Sequence, residues 1–175
     1  MNDFEALVSL NLIPQIGSVR LGNLLEVFKK PEAIFKASRN DLTAVVGDSI
    51  SENIVSFDRR LLEKDLALAK KLGLKIITCF DQDYPQLLKE IPGAPIVLYV
   101  LGNIIEQDNL AIGIVGSRRA SLYGLSCAEK FASQLSAQGI AIVSGMARGV
   151  DTYAHRGALK AKGGRTIAVM GSGFN

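Results

Sequence analysis

The sequence has 175 residues, 48% of them hydrophobic, and a formal net charge of +3; its mean hydropathy is +0.23. That composition supplies a packed core and excludes an intrinsically disordered chain. It also excludes a helical membrane span, since no apolar run approaches ~18 residues, and the acidic start Met1-Asn-Asp-Phe-Glu5 lacks the basic opening of a secretory signal.

Residues 2–57 read as a small all-α domain. Phe4, Leu7, Val8 and Leu12 recur at helical spacing, and Pro14 and Gly17 close the pattern. Leu21, Leu24, Leu25 and Phe28 repeat it, Pro31 opens a further helix, and Asp41 is the expected N-cap of the Leu42–Val46 run. Pro14-Gln-Ile-Gly17 has the spacing of a helix-hairpin-helix turn, which contacts DNA backbone through N–H groups. A plain structural turn fits as well, because Gln15 stands where such turns carry glycine. A boundary is placed between residues 57 and 58, giving domains 1–57 and 58–175.

Residues 58–72 predict a helix with Gly73 behind it, followed by a strand over 74–78. Pro85 starts a short helix, and residues 95–100 predict another strand, closed by Gly102. From residue 111 the pattern becomes regular: strand 111–115, helix 124–138, strand 140–143, helix 151–162, strand 166–170. Alternation at this spacing predicts an α/β fold with a parallel sheet, its three strands adjacent and their following loops on one edge. The sequence ends just after the last strand, so the sheet is expected to be incomplete and the chain a piece of something longer. Cys79 and Cys127 are too few for a disulfide framework or a zinc site and, lying in apolar patterns, read as ordinary buried thiols.

Each strand runs into a loop of small residues. Gly116-Ser117-Arg118 offers backbone N–H groups, a hydroxyl and a guanidinium able to grip a phosphate. The second loop carries Ser144, Gly145, Ala147, Arg148 and Gly149, and the third Gly171 and Gly173. Residues 1–110 hold 12 Lys+Arg against 15 Asp+Glu; residues 111–175 hold 8 against 2. The positive charge therefore travels with the loops and points to a phosphate-bearing partner. Asp151 reads as a helix N-cap. His155, the single histidine, reads as structural, with an i,i+4 contact to Asp151 open to it. Tyr123 has two readings, a base-stacking ring or packing beneath the first loop. There is no dinucleotide fingerprint and no Walker A motif.

Residues 114–124 (Ile-Val-Gly-Ser-Arg-Arg-Ala-Ser-Leu-Tyr-Gly), 143–151 (Val-Ser-Gly-Met-Ala-Arg-Gly-Val-Asp), 154–159 (Ala-His-Arg-Gly-Ala-Leu) and 164–169 (Gly-Arg-Thr-Ile-Ala-Val) resemble the DprA/Smf DNA-processing proteins, as do Asp83-Tyr-Pro85 and residues 94–99. The resemblance implies a cytoplasmic protein that binds single-stranded DNA and assists loading of the RecA recombinase in DNA uptake and recombination, including natural transformation. It implies no enzyme activity, catalytic residue, cofactor or metal. The implied fold is a helical SAM-like domain followed by an extended Rossmann-like domain, here lacking its second half. The family's DNA pocket maps onto Gly116, Ser117 and Arg118 and onto Ser144, Gly145, Ala147 and Gly149. A family lysine falls at Arg165, and an aspartate usual after the third loop falls at Asn175. The full-length family protein is a homodimer whose self-association and RecA surfaces lie largely in the half this sequence does not contain. This chain is therefore expected to bind DNA weakly, to fail to promote RecA loading and to lose dimerisation. The rival from another class is a Rossmann-type nucleotide hydrolase resembling the LOG-type phosphoribohydrolases, whose Pro-Gly-Gly-x-Gly-Thr loop is not in the sequence. A third reading is an inactive remnant of the DNA-binding protein.

Overall fold

The computed structural model describes residues 1–174; Asn175, compared above with a family aspartate, lies outside them. The chain forms two compact units, Met1–Ile104 and a second from Ile105 onward.

The first unit opens with α1 (Asp3–Leu12), α2 (Ser18–Phe28), α3 (Pro31–Ile34), α4 (Arg39–Val46), α5 (Asp48–Val55) and α6 (Arg59–Lys71). Local chemistry sets their ends. Asn2 and Glu5 form a reciprocal capping box on α1. Ser38 caps α4, its Oγ accepting from the Asp41 N–H at 3.2 Å. The cap expected at Asp41 is thus three residues upstream, because the Ser38 hydroxyl reaches the free N–H first and Asp41 supports it by accepting from Ser38 Oγ at 2.7 Å. In the Pro14–Gly17 turn, Gln15 takes φ +70° and its carbonyl accepts from Arg20 Nη1 at 2.5 Å. Asp58 caps α6, and Gly73 follows that helix at φ +67°.

β1 (Lys75–Thr78) and β2 (Val97–Val100) then pair antiparallel, with the short α7 (Gln86–Lys89) between them. Leu62 of α6, with Ile96 and Val97, shares one buried cluster with Leu7, Leu24, Ile34, Leu42 and Ile54. This packing draws the structural line after Ile104, not at residue 58: α6 and the ribbon bury their apolar faces on the helices. Tyr84 is sealed in the same unit, its hydroxyl donating to the Pro95 carbonyl at 2.8 Å.

The second unit is β3 (Ala111–Gly113), α8 (Leu122–Ala137), β4 (Ala141–Ser144), α9 (Val150–Lys160) and β5 (Thr166–Ala168). β3, β4 and β5 lie side by side and parallel, as the alternation predicts. α8 begins two residues earlier than expected because Ser121 caps it, accepting from the Gly124 N–H at 3.2 Å. Ile142 of β4 is fully buried against Ala132, Ala154 and Ala158. The two helices approach closely because α9 carries Gly157. A Cβ there would lie 2.2 Å from the Glu129 carbonyl oxygen and 2.8 Å from Ala132 Cβ. Lys160 and Glu129 close the rim of this contact at 2.8 Å.

Candidate nucleic-acid interface

Parallel strands send their following loops to a single edge, and this unit has three: residues 114–121 after β3, 145–149 after β4 and 169–174 after β5. The first two interlock. Gly149 adopts φ +88°, ψ −133°, where a side chain is strained. A Cβ on it would lie 2.2 Å from the Ser117 carbonyl oxygen and 2.8 Å from Arg118 Cα. The close approach that Gly149 permits is therefore loop against loop. Gly116 faces Val150 in the same way, its added Cβ meeting a methyl at 2.8 Å, and the Val150 N–H donates to the Ser117 carbonyl at 3.3 Å.

Asp151 fastens the pair. It is buried and accepts from the Gly116 N–H through Oδ1 and from the Ala147 N–H through Oδ2, both at 3.4 Å. The cap position of α9 belongs to Gly149, so Asp151 is not the N-cap expected. It sits one residue inside the helix and braces two loops. Thr152 completes the brace, its hydroxyl donating to the Ala147 carbonyl at 2.8 Å. The sequence signal for this role was an acid just past the second glycine loop, in a segment otherwise poor in acids.

The interlock decides which donors are taken and which are left over. The Gly116 and Ala147 N–H groups are taken by Asp151, and the Arg119 N–H goes to Ser117 Oγ at 3.0 Å. Among the described residues, the N–H groups of Ser117, Arg118, Gly145, Met146, Arg148 and Gly149 have no acceptor. Arg118, Arg119 and Arg148 are exposed, and no carboxylate of the described residues forms an ion pair with them. Met146 is held at φ +58°, in the left-handed region, and is 62% exposed. Gly171 and Gly173 are exposed on the neighbouring loop, which follows directly from the Val169 N–H to Ser144 carbonyl bond of 2.9 Å. Unpaired N–H groups beside unpaired guanidinium groups make an anion cradle.

Two predicted site residues stand differently. The Ser144 hydroxyl is buried and donates to the Ile114 carbonyl at 2.7 Å, tying β4 to β3 beneath the loops. Arg165 precedes β5 and so lies at the opposite, amino edge of the sheet. There its guanidinium makes a bidentate pair with Asp108, Nη2 donating at 2.5 Å and Nε also bonded. Burial alone would raise the Asp108 carboxyl; the guanidinium and the Ile105 N–H outweigh it and hold the pKa below the ordinary carboxylate value.

The other carboxylates of this unit also leave the loops positive. Glu129 is paired with Lys160, and Glu106 lies ahead of β3. Among the described residues His155 makes no hydrogen bond to Asp151 and turns to Thr166 instead. Its Nδ1 lies 2.7 Å from Thr166 Oγ1, which itself donates to the Ile142 carbonyl, so Nδ1 carries the proton. Burial pushes the His155 pKa down, with Asp151 opposing. Tyr123 does not pack under the first loop: it is 80% exposed in the first turn of α8. Among the described residues no group of side chains could hold a metal ion, and no helix is long and apolar enough to cross a membrane.

Residues 75–175 match the family described as DNA recombination-mediator protein A. The chain is 33% identical to Protein Smf of Synechocystis sp. over 91% of its own length and 42% of that protein. It is 36% identical to the DNA processing protein DprA of Bacillus subtilis over 65% of this chain and 38% of that one. An X-ray structure of DprA from Streptococcus pneumoniae superposes with a TM-score of 0.76 at 28% identity, covering 99% of this chain and 59% of that one. The chain thus spans about two fifths of the length of the curated relatives it matches.

Proposed function

The chain belongs to the DprA/Smf family of DNA-processing proteins, and from that premise we propose that its carboxyl-edge loops hold the sugar-phosphate backbone of single-stranded DNA. The observation that carries this reading is the juxtaposition of N–H groups without an acceptor at Ser117, Arg118, Gly145, Met146, Arg148 and Gly149 with the exposed guanidinium groups of Arg118 and Arg148. Phosphate oxygens match both donor types, and a bidentate guanidinium contact adds direction to charge. Glycines 171 and 173 let a strand pass close to the third loop. Ser144, Gly145, Ala147, Gly149 and Asp151 shape the cradle from below. Arg165 supports the sheet through Asp108 and is left out of the contact set.

The mechanism is binding without bond making. Few side chains at the rim suit base-edge readout, so backbone contacts dominate and sequence preference is weak. On this reading the whole protein works in the cytoplasm as a mediator, not an enzyme, holding single strands for the RecA recombinase and acting as a homodimer in its full-length form.

The test is fluorescence anisotropy with a labelled oligo-dT at two salt concentrations. Saturable binding is expected, with affinity falling by roughly 0.7 log units per log unit of salt for each phosphate neutralised, and with oligo-dT and mixed sequences bound alike. Absence of binding at low salt, or strong preference for one short sequence, would refute the reading.

A further inference from the structure

Leu122 and Tyr123 are the most exposed large hydrophobic residues of the described chain, at 85% and 80%. They are adjacent, and they sit where loop one becomes helix. α8 buries Ala128, Ala132 and Ser136 at i, i+4 spacing, a stripe that extends back to Gly124. Tyr123 falls about 100° to one side of that stripe and takes no part in the packing. Ser121 pins the first turn through the Gly124 N–H, so the ring is carried on a capped helix end and not on a loose loop. Arg118 and Arg119 precede it by five and four residues, unpaired, and the acceptor-free N–H groups of loop one lie on the same sheet edge.

We propose that Tyr123 is a base-stacking platform: a nucleobase of the bound single strand lies against its ring while the neighbouring loops hold the adjoining phosphates. The proposal rests on the reading of those loops as a single-stranded DNA site. What covers the ring is decided by the charge on the same sheet edge. An apolar protein partner gains nothing from three unpaired arginines, whereas a polyanion with flat apolar faces matches both features at once. The phenol, like any tyrosine, is neutral near pH 7 and does not repel phosphate; the Cys127 thiol beside it pushes its pKa further up. Stacking of this kind is tolerant of sequence, since every base has a π-face.

The chain has no tryptophan, which makes the test direct. Tyr123→Ala, Tyr123→Phe and Tyr123→Trp are compared with the parent on a labelled oligo-dT and on an abasic strand of the same length. The alanine variant is expected to bind oligo-dT about 5- to 150-fold more weakly, with unchanged salt slope and unchanged binding to the abasic strand. The phenylalanine variant should keep parent affinity. The lone tryptophan should be quenched by oligo-dT and not by the abasic strand. Equal weakening on both strands, or no weakening on oligo-dT, overturns the platform while leaving the phosphate site standing. A parent chain that binds neither strand removes the phosphate site, and the platform with it. The thermal melt of each variant is expected to match the parent, because the ring touches no core residue.

Discussion

Replacing Gly149 by alanine should damage fold and binding together. The residue sits at φ +88°, ψ −133°, a conformation that costs a side chain about 1–3 kcal/mol. The new methyl would lie 2.2 Å from the Ser117 carbonyl oxygen and 2.8 Å from Arg118 Cα. Backbone cannot yield as a flexible side chain does, and overpacking of this kind costs about 1–3 kcal/mol more. Moving the loops apart relieves the clash but breaks the Val150 N–H to Ser117 bond, worth about 0.5–1.5 kcal/mol. A net loss of about 2–6 kcal/mol follows from these terms. For a domain of this size each kcal/mol lowers Tm by roughly 4–8 °C, so a fall of at least about 8 °C is expected by circular dichroism, with oligo-dT affinity lost even at low temperature. Gly171→Ala is the control: nothing lies within 4 Å of a Cβ at that position, and its melt should match the parent. A Gly149→Ala protein with parent Tm and parent affinity would refute the interlock.

Arg118→Ala should weaken oligo-dT binding by about 1.5–3 kcal/mol, the value of a charge-assisted hydrogen bond, and Arg118→Lys should restore only part because the planar fork is lost; anisotropy titration reads both. Arg165→Ala should leave DNA affinity unchanged yet lower stability by about 1–2 kcal/mol, since it strips a mostly buried Asp108 of its partner; loss of DNA binding without loss of stability would move Arg165 into the site. Gly157→Ala, which would stabilise an open helix by about 1 kcal/mol, should here lower Tm, because its methyl meets the Glu129 carbonyl at 2.2 Å; a raised Tm would show that the α8–α9 contact is looser than described. His155 has its pKa depressed by burial, so the unfolded chain takes up a proton near pH 6.5 that the folded chain refuses. Stability should therefore fall as pH drops below about 6.5, and His155→Asn, which keeps a donor for Thr166, should flatten that part of the profile in melts at pH 7.5 and 5.5.

Much of this was legible in the sequence because the second unit obeys simple periodicities. Apolar runs at Ala111, Ala141 and Thr166, with helices between them, forced a parallel sheet, and a parallel sheet forced the loops to one edge. The amino edge was legible by the same rule. Arg165 stands before its strand and Gly171 after, which separates them across the sheet, but motif likeness drew them together. The brace formed by Asp151 was not legible. An acid near a helix start is usually a cap, and only the three-dimensional approach of Gly116 and Ala147 shows two donors converging on it. Nor was the line after Ile104, since the burial of Leu62, Ile96 and Val97 with the helices is a non-local packing choice that leaves no periodic trace. The cap of α4 falls at Ser38 and not at Asp41 for a smaller reason: both residues suit the role, and their competition is settled by which side chain meets the free N–H.

Whether the carboxyl-edge loops take the phosphates can be read from backbone amide NMR. With the labelled chain titrated by oligo-dT, the largest shifts are expected at the free N–H groups of Ser117, Arg118, Gly145, Met146, Arg148 and Gly149. The amides around Asp108, Gly139 and Arg165, at the other edge, should stay in place. Saturable shifts that cluster at the amino edge or in the helices of residues 1–104, with the six loop amides unmoved, would contradict the account.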